Sequence, residues 1–229
     1  MRINIVIAPD EVAALHAHPR SYVKGTLEEG GVRYPNISVR LKGNGSFQPL
    51  GKKPAFALKF HQVAFHGERK ILLNNSVQDR SYLCQPLGGE IFRSAGVPAP
   101  RTTFAQVFCN GQNLGLYVIV QAITKQFLAQ HFTNSDGNLY EGSNHDVDER
   151  LEVDSSDKAS EQADLKELAS ALKIPDLSLR FKKLGALLDV DSFITFAAIE
   201  VLSVHRDGYS LDRNNFRIYH DPGTGLMTF

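Results

Sequence analysis

The sequence predicts an α+β protein, strand-rich in its first half and helical in its last third. Three observations carry that expectation. Apolar and polar residues alternate with period two in several short runs before residue 121. Apolar residues recur at helical spacing after residue 163. Turn signals separate the runs, among them Gly43-Asn44-Gly45-Ser46, Asn110-Gly111 and Gly223-Thr224-Gly225. With 229 residues, 42% of them apolar, the chain is long enough to bury a real core, as one large domain or two small lobes.

Taken in order, Met1-Arg2-Ile3-Asn4-Ile5-Val6-Ile7 reads as a short strand and lacks the pattern of a signal peptide. Ile37-Ser38-Val39-Arg40-Leu41-Lys42 and Ala55-Phe56-Ala57-Leu58-Lys59-Phe60 alternate and pair as a hairpin across a glycine-containing tip. Residues 82–95 place Leu83, Leu87, Ile91, Phe92 and Ala95 at helical spacing, with Gly96 as the stop and Pro98 and Pro100 beyond it. Residues 102–108 and 114–120 are two strands joined by Asn110-Gly111, a hairpin turn, and 124–132 is a short helix. Residues 143–163 are acidic (Asp146, Asp148, Glu149, Glu152, Asp154, Asp157, Glu161) and poor in large apolar residues. That composition reads as a solvated connection, or else as a patch for a metal or a basic substrate, although Asp-x-Asp-Glu fits no calcium-loop template. Residues 164–172 and 177–188 are short amphipathic helices. Residues 190–202 form a third helix, apolar enough to be a buried core helix, with Asp191 or Asp189 as its cap. The expected organisation is a strand-rich lobe over 1–142, an acidic connection over 143–163 and a helical lobe over 164–229. Leu226-Met227-Thr228-Phe229 begins a new strand and stops, so the sequence is expected to be a fragment.

Lys+Arg and Asp+Glu are both 25, so the formal net charge is zero; a nucleic-acid binder would show a basic excess, although a local basic groove stays open. No apolar run reaches the roughly 18 residues of a membrane span. The chain therefore reads as soluble. Cys84 and Cys109 lie in unrelated contexts and are expected to be buried thiols, with neither disulfide nor zinc spacing. The histidines show no metal-ligand pattern.

The chemistry concentrates near the C-terminal end. His205-Arg206-Asp207-Gly208-Tyr209 is followed by Asn214-Asn215-Phe216-Arg217-Ile218-Tyr219. An Asp followed within a few residues by an Asn that opens an apolar strand is how protein kinases build a catalytic loop: the Asp accepts the proton of the attacking hydroxyl, the Asn holds a divalent ion on the nucleotide phosphates. The spacing is longer than usual, and Asp207 or the Asn pair also fits a plain turn. Upstream, Gly43 to Ser46 would let backbone N–H groups approach phosphates. Lys59 lies on the strand after that loop, with Lys52 and Lys53 as competitors for a phosphate-neutralising lysine; Glu90 on the next helix is its candidate partner. Singly, each of these lysines is also what a snorkelling surface residue looks like.

Jointly these segments resemble the CotH kinase family, the spore-coat-protein-H-like atypical protein kinases. The resemblance rests on Val39 to Ser46, Lys52 to Phe60, Phe92 to Arg101, Asn110-Gly111 with Gly115-Leu116-Tyr117, Gly137 to Tyr140, and Asp207-Gly208-Tyr209 with Asn214-Asn215-Phe216. It implies a reduced, two-lobed kinase-like fold and transfer of the ATP γ-phosphoryl group, with Mg²⁺ or Mn²⁺, to Ser or Thr hydroxyls of a protein substrate. By motif position Asp207 resembles the catalytic Asp and Asn214, or else Asn215, the metal-binding Asn. Gly43, Asn44, Gly45 and Ser46 resemble the phosphate-covering loop, Lys59 first and Lys53 second the phosphate lysine, and Glu90 its partner. Gln121 stands where the family usually carries Glu, so it can hydrogen-bond at the cofactor but brings no charge. Glu141 stands where Lys is common. The family continues past the final strand into a segment with a second metal-binding Asp, so the sequence as it stands is expected to be inactive. The resemblance also implies a place outside the cytoplasm or on a spore or cell surface. The alternatives are a pseudokinase or a surface or spore-coat interaction module on the same fold; a carbohydrate binder is disfavoured by the absence of Trp.

Overall fold

A computed structural model describes residues 1–154 and 161–229; Asp157 of the acidic stretch lies outside them. The described residues form two compact units. Met1–Glu90 with Pro100–Ile123 make the first, and Ile91–Ala99 with Thr124–Phe229 the second.

The first unit is a closed barrel. Its strands are β1 (Arg2–Val6), β2 (Val23–Glu29), β3 (Val32–Lys42), β4 (Ala55–Phe60), β5 (Lys70–Asn74), β6 (Thr102–Cys109) and β7 (Gln112–Gln121), in the order β1-β2-β3-β4-β5-β7-β6. The expected hairpin is β3–β4, with Ile37 opposite Phe60 and Leu41 opposite Phe56. Its period-two alternation has a direct reading: Ile37, Val39, Leu41, Phe56, Leu58 and Phe60 point inward and are buried, while Ser38, Arg40, Lys42 and Lys59 point outward. Asn110 (φ 49°) and Gly111 (φ 80°) both adopt the left-handed conformation that a two-residue hairpin turn requires. Closure comes from the parallel pairing of β1 with β6, Ile3 opposite Val107, which removes the sheet edges.

One helix belongs to the barrel unit, and a second passes from it into the second unit after Glu90. Helix α1 (Pro9–Ala17) buries Leu15. Helix α2 (Cys84–Ser94) starts where the Asp79 carboxylate accepts the Cys84 N–H (2.9 Å). The stripe that predicted this helix, Leu83, Leu87 and Ile91, is exposed. Cys84 is exposed as well, contrary to expectation, because it opens the helix in its capping turn. Cys109 is buried as expected, and burial pushes its thiol up to about 11.

The second unit holds a four-stranded sheet, β11-β10-β8-β9, built from β8 (Asn138–Ser143), β9 (Glu152–Val153), β10 (Asn214–Asp221) and β11 (Leu226–Thr228). Helices α3 (Lys125–His131), α4 (Ala163–Leu172), α5 (Leu177–Leu184), α6 (Val190–Leu202) and α7 (Tyr209–Asp212) complete it. The second unit thus takes Ile91–Ala99 and begins again at Thr124, not at 143, since β8 pairs with β10, Tyr140 opposite Ile218. Nor is the start of the acidic stretch a solvated connection. Val147 and Leu151 are buried in the second core with Tyr140, Leu165, Phe196 and Ile218, which leaves the intervening carboxylates at the surface. Asp176 caps α5 through the Leu179 N–H (2.7 Å), and Asp189, not Asp191, caps α6 through the Ser192 N–H (3.0 Å). Helix α6 buries only one face, carrying Phe196, Ile199 and Glu200; Ile194, Val201 and Leu202 are exposed.

A half-buried polar cluster joins α4 to the sheet. Asp164 accepts hydrogen bonds from His220 Nδ1 (2.8 Å), the Tyr140 hydroxyl (2.6 Å), Asn138 Nδ2 (2.9 Å) and the Leu165 N–H (2.9 Å). Burial opposes the Asp164 charge, but the hydrogen bonds from His220, Tyr140 and Asn138 outweigh it and hold the carboxyl well below its usual range. The bond to Asp164 raises His220 against the opposing effect of burial. The Asp164 contribution is therefore present above about pH 4 and lost as pH falls; the His220 contribution is complete below about pH 6.5 and lost as pH rises. The loss of melting temperature in His220→Gln is expected to be largest near pH 5 and to shrink toward pH 8. A pH-independent loss in scanning calorimetry would contradict this account.

Candidate functional site

Within the second unit the structure brings Asp207, Asn214 and Asn215 together. One Asp207 carboxylate oxygen accepts from Asn214 Nδ2 (2.8 Å), and the other accepts from Asn215 Nδ2 (2.6 Å), which also bonds the Asp207 carbonyl (2.8 Å). The longer spacing between Asp and Asn is taken up by α7, a single helical turn. Its closing bonds, from the Asp212 N–H to the Gly208 carbonyl (2.9 Å) and from the Arg213 N–H to the Tyr209 carbonyl (3.0 Å), return the chain to Asp207. Val204 (φ 53°), Arg213 (φ 51°) and Asn215 (φ 52°) bracket the turn in the left-handed conformation, a cost of about 1–3 kcal/mol each for such residues that the surrounding contacts must offset.

The contact that holds this loop was not among the sequence candidates. Glu200, on α6, is only 1% exposed, and its carboxylate accepts from the Tyr209 N–H (3.1 Å), the Ser210 N–H (2.7 Å) and His205 Nδ1 (3.2 Å). Burial opposes its charge, but the bonds from His205 and from the Ser210 and Tyr209 N–H groups prevail, so its carboxyl lies below its ordinary value; the same bond raises His205. Gly208 is required by this arrangement, because a Cβ there would run into the Glu200 carboxylate and the His205 ring. Asp207-Gly208 is therefore more than a local turn. A sequence signal for Glu200 existed: it is the lone carboxylate inside the run Phe193 to Leu202, and a charge in an apolar helix is stable only with partners. Below the loop Tyr209 packs against Phe193, Phe196, Phe216 and Phe229, and its hydroxyl donates to Asp146 (3.0 Å), which also pairs with Arg213 Nε (3.2 Å).

The other candidates lie in the first unit. Gly43 (φ 99°) ends β3 in a conformation that favours glycine, and a Cβ there would sit 2.7 Å from the Ser46 hydroxyl. The carbonyl of Gly43 accepts from Arg20. Among the described residues, the N–H groups of Asn44, Gly45 and Ser46 have no protein acceptor, which leaves three donors in a short turn. Asn75, 2% exposed, fastens the segment by donating to the carbonyls of Ser46 (3.1 Å) and Lys53 (2.8 Å). Truncation in Asn75→Ala leaves those acceptors unpaired and is expected to cost about 2 kcal/mol; a shift in the urea midpoint below about 0.5 kcal/mol would contradict the role.

Lys53 donates to the Tyr82 hydroxyl (2.6 Å) and lies 4.8 and 5.2 Å from the centroids of Tyr82 and Tyr117. Lys59 is elsewhere. It pairs with Ser38, four residues along β4 from the loop end, and its ammonium sits over Tyr22 (4.3 Å). At the loop end itself stands Lys42, opposite Ala55 and donating to Asn74 Oδ1 (2.6 Å). The sequence motifs include Lys42 without giving it a role. Glu90 lies exposed on α2. Gln121, 5% exposed, accepts from the Arg101 N–H (3.2 Å) and donates to Glu68 (2.8 Å), so its amide ties strands together.

The donor set in the second unit fits a hard divalent cation. Each Asn gives its amide N–H to Asp207, which leaves its own carbonyl oxygen as an acceptor, and Asp207 adds carboxylate oxygen. No three His, Cys, Asp or Glu side chains converge among the described residues. Mg²⁺ commonly takes one or two carboxylates and completes its shell with water and substrate phosphates, so a set this small is compatible with it. No described helix is long and apolar enough to cross a membrane.

A family profile described as CotH kinase protein matches residues 39–229. Inner spore coat protein H of Bacillus subtilis (strain 168) is 25% identical over 212 residues, covering 86% of this chain and 58% of that protein. The chain therefore spans 58% of the length of this curated relative.

Proposed function

The chain belongs to the CotH kinase protein family, and on that premise we propose that it carries the core of an ATP-dependent phosphotransferase acting on Ser or Thr hydroxyls of a protein. The observation that carries the reading is the convergence of Asp207 with Asn214 and Asn215 at the end of α6, held by a buried Glu200. In this reading Asp207 orients the acceptor hydroxyl and takes its proton. Both of its oxygens are already engaged by amide N–H groups, which fixes the carboxylate plane. The carbonyl oxygen of Asn214, or of Asn215, holds Mg²⁺ or Mn²⁺; when bound, the cation neutralises charge on the phosphates. The free N–H groups of Asn44, Gly45 and Ser46 bind phosphate oxygens. Lys53 or Lys42 supplies the neutralising ammonium, with Glu90 as partner, in preference to Lys59. Gln121 serves as a structural tie beside the nucleotide. A reduced kinase-like arrangement of two lobes is part of the same proposal.

A second reading, a coat-interaction module without catalysis and with spore-coat or surface association, is favoured by one observation: the curated relative is named as a spore coat protein. The two are separated by incubating the complete protein that carries this chain with radiolabelled ATP and Mg²⁺ or Mn²⁺. Metal-dependent label on Ser or Thr, absent from Asp207→Asn, is the expected result. Nucleotide binding without label would select the second reading.

A further inference from the structure

The chain is neutral overall, yet one face of the barrel is not. Antiparallel register places Lys24 opposite Ser38, Ser38 opposite Lys59 and Lys59 opposite Lys70, one row across β2, β3, β4 and β5. Directly opposed residues share a face. The inward side of these strands is taken by Val23, Val39, Leu58 and Ile71, so the row points outward. At about 4.8 Å per strand step it spans roughly 14 Å. Arg40 extends it along β3, and Tyr22 lies beneath, with Lys59 and Arg40 at 4.3 and 5.3 Å from its ring centroid. Among the described residues, Lys24, Arg40, Lys59 and Lys70 make no ion pair with Asp or Glu.

Folding alone does not explain this row. Like charges directly opposite on a sheet are destabilising, and Lys59 faces Lys70 across a single strand pair with no counter-charge between them. A cost to stability of this kind is typical of surfaces shaped for binding.

We propose that the Lys24–Ser38–Lys59–Lys70 row on the outer side of β2–β5, with Arg40 and Lys59 at Tyr22, docks an acidic segment of a partner polypeptide. Charge complementarity selects an anionic occupant, and the aromatic selects among anions. Single-stranded nucleic acid is held by bases stacked on open rings; here Lys59 and Arg40 already stand at the Tyr22 ring, 4.3 and 5.3 Å from its centroid. The chain's own acidic stretch is partly engaged elsewhere, Asp146 with Arg213 and Asp154 with Arg217. The docking surface stands independently of phosphoryl transfer, and it offers a role for Lys59, which lies four residues along β4 from the end of the glycine loop.

The test is fluorescence anisotropy with a short labelled Glu-Ser repeat peptide. The wild-type chain is compared with Lys24→Glu/Lys70→Glu and, as a charge-matched control, Lys182→Glu/Lys183→Glu on α5. Binding is expected to weaken about tenfold or more in the first variant and little in the control, and to fade between about 0.05 and 0.5 M salt. The first variant should melt no lower than wild type, since its Lys70→Glu change replaces the Lys59–Lys70 repulsion with an attraction; loss of binding therefore cannot be charged to unfolding. Equal weakening in both variants, tighter binding of a labelled oligonucleotide or of anionic vesicles than of the peptide, or self-association abolished by the first variant would each overturn the proposal.

Discussion

Replacing Asp207 by Asn is expected to abolish the proposed phosphoryl transfer, by at least about a hundredfold and toward ten-thousandfold, the range supplied by a positioned general base. The fold should tolerate the change. Asp207 is exposed, and the aromatic cluster beneath Tyr209 makes no use of its carboxylate. What the substitution removes is local. The substituted side chain keeps one acceptor oxygen and presents an NH₂ to the other amide, so either the Asn214 or the Asn215 bond is lost. Stability should fall by less than about 1 kcal/mol, as for an exposed hydrogen-bonded site. The decisive comparison is transfer rate against melting temperature in the same preparation. Retained transfer would remove Asp207 from the chemistry, whereas joint loss of transfer and fold would leave a structural role.

Loss of Glu200 should be the most destabilising change near the site, about 3–5 kcal/mol for Glu200→Ala, because it unpairs two backbone N–H groups and a histidine around a carboxylate that is nearly fully buried. Glu200→Gln preserves volume but keeps only one acceptor oxygen. Its NH₂ must then face the Ser210 N–H or the Tyr209 N–H, donor against donor, so it should recover little of the loss. Urea unfolding measures the energy, and hydrogen exchange at Tyr209 and Ser210 measures the place. A Glu200→Ala chain within about 1 kcal/mol of wild type, with both amides still protected, would show that the loop holds itself.

Local order was legible in the residues. The alternation from Ile37 to Lys42 and from Ala55 to Phe60 dictates which side chains enter a core, Asn110-Gly111 dictates a tight turn, and an Asp just before an apolar helical run dictates a cap. Each is settled by backbone sterics and neighbours within about four residues, so the chain states it directly. Asp207 and the Asn pair were likewise visible as residue types at a spacing. Other features are set by partners distant in sequence. Parallel pairing of β1 with β6 closes the barrel across about a hundred residues. Pairing of β8 with β10 moves residues 138–143 into the second unit. Strand register carries Lys59 away from the glycine loop and sets it opposite Lys70. The exposure of Cys84 and the choice of Asp189 over Asp191 depend on where a helix begins in space. The sequence by itself thus determined the β3–β4 and β6–β7 hairpins, the positions of helices α2 to α6 and the residue types gathered at the candidate site, whereas α1, β2 and β5 carried no local signal that identified them and the apolar stripe of α2 turned outward. Tertiary structure alone decided which carboxylate holds the loop and which lysines share a surface, because burial and register are properties of non-local contacts that no short window of residues contains.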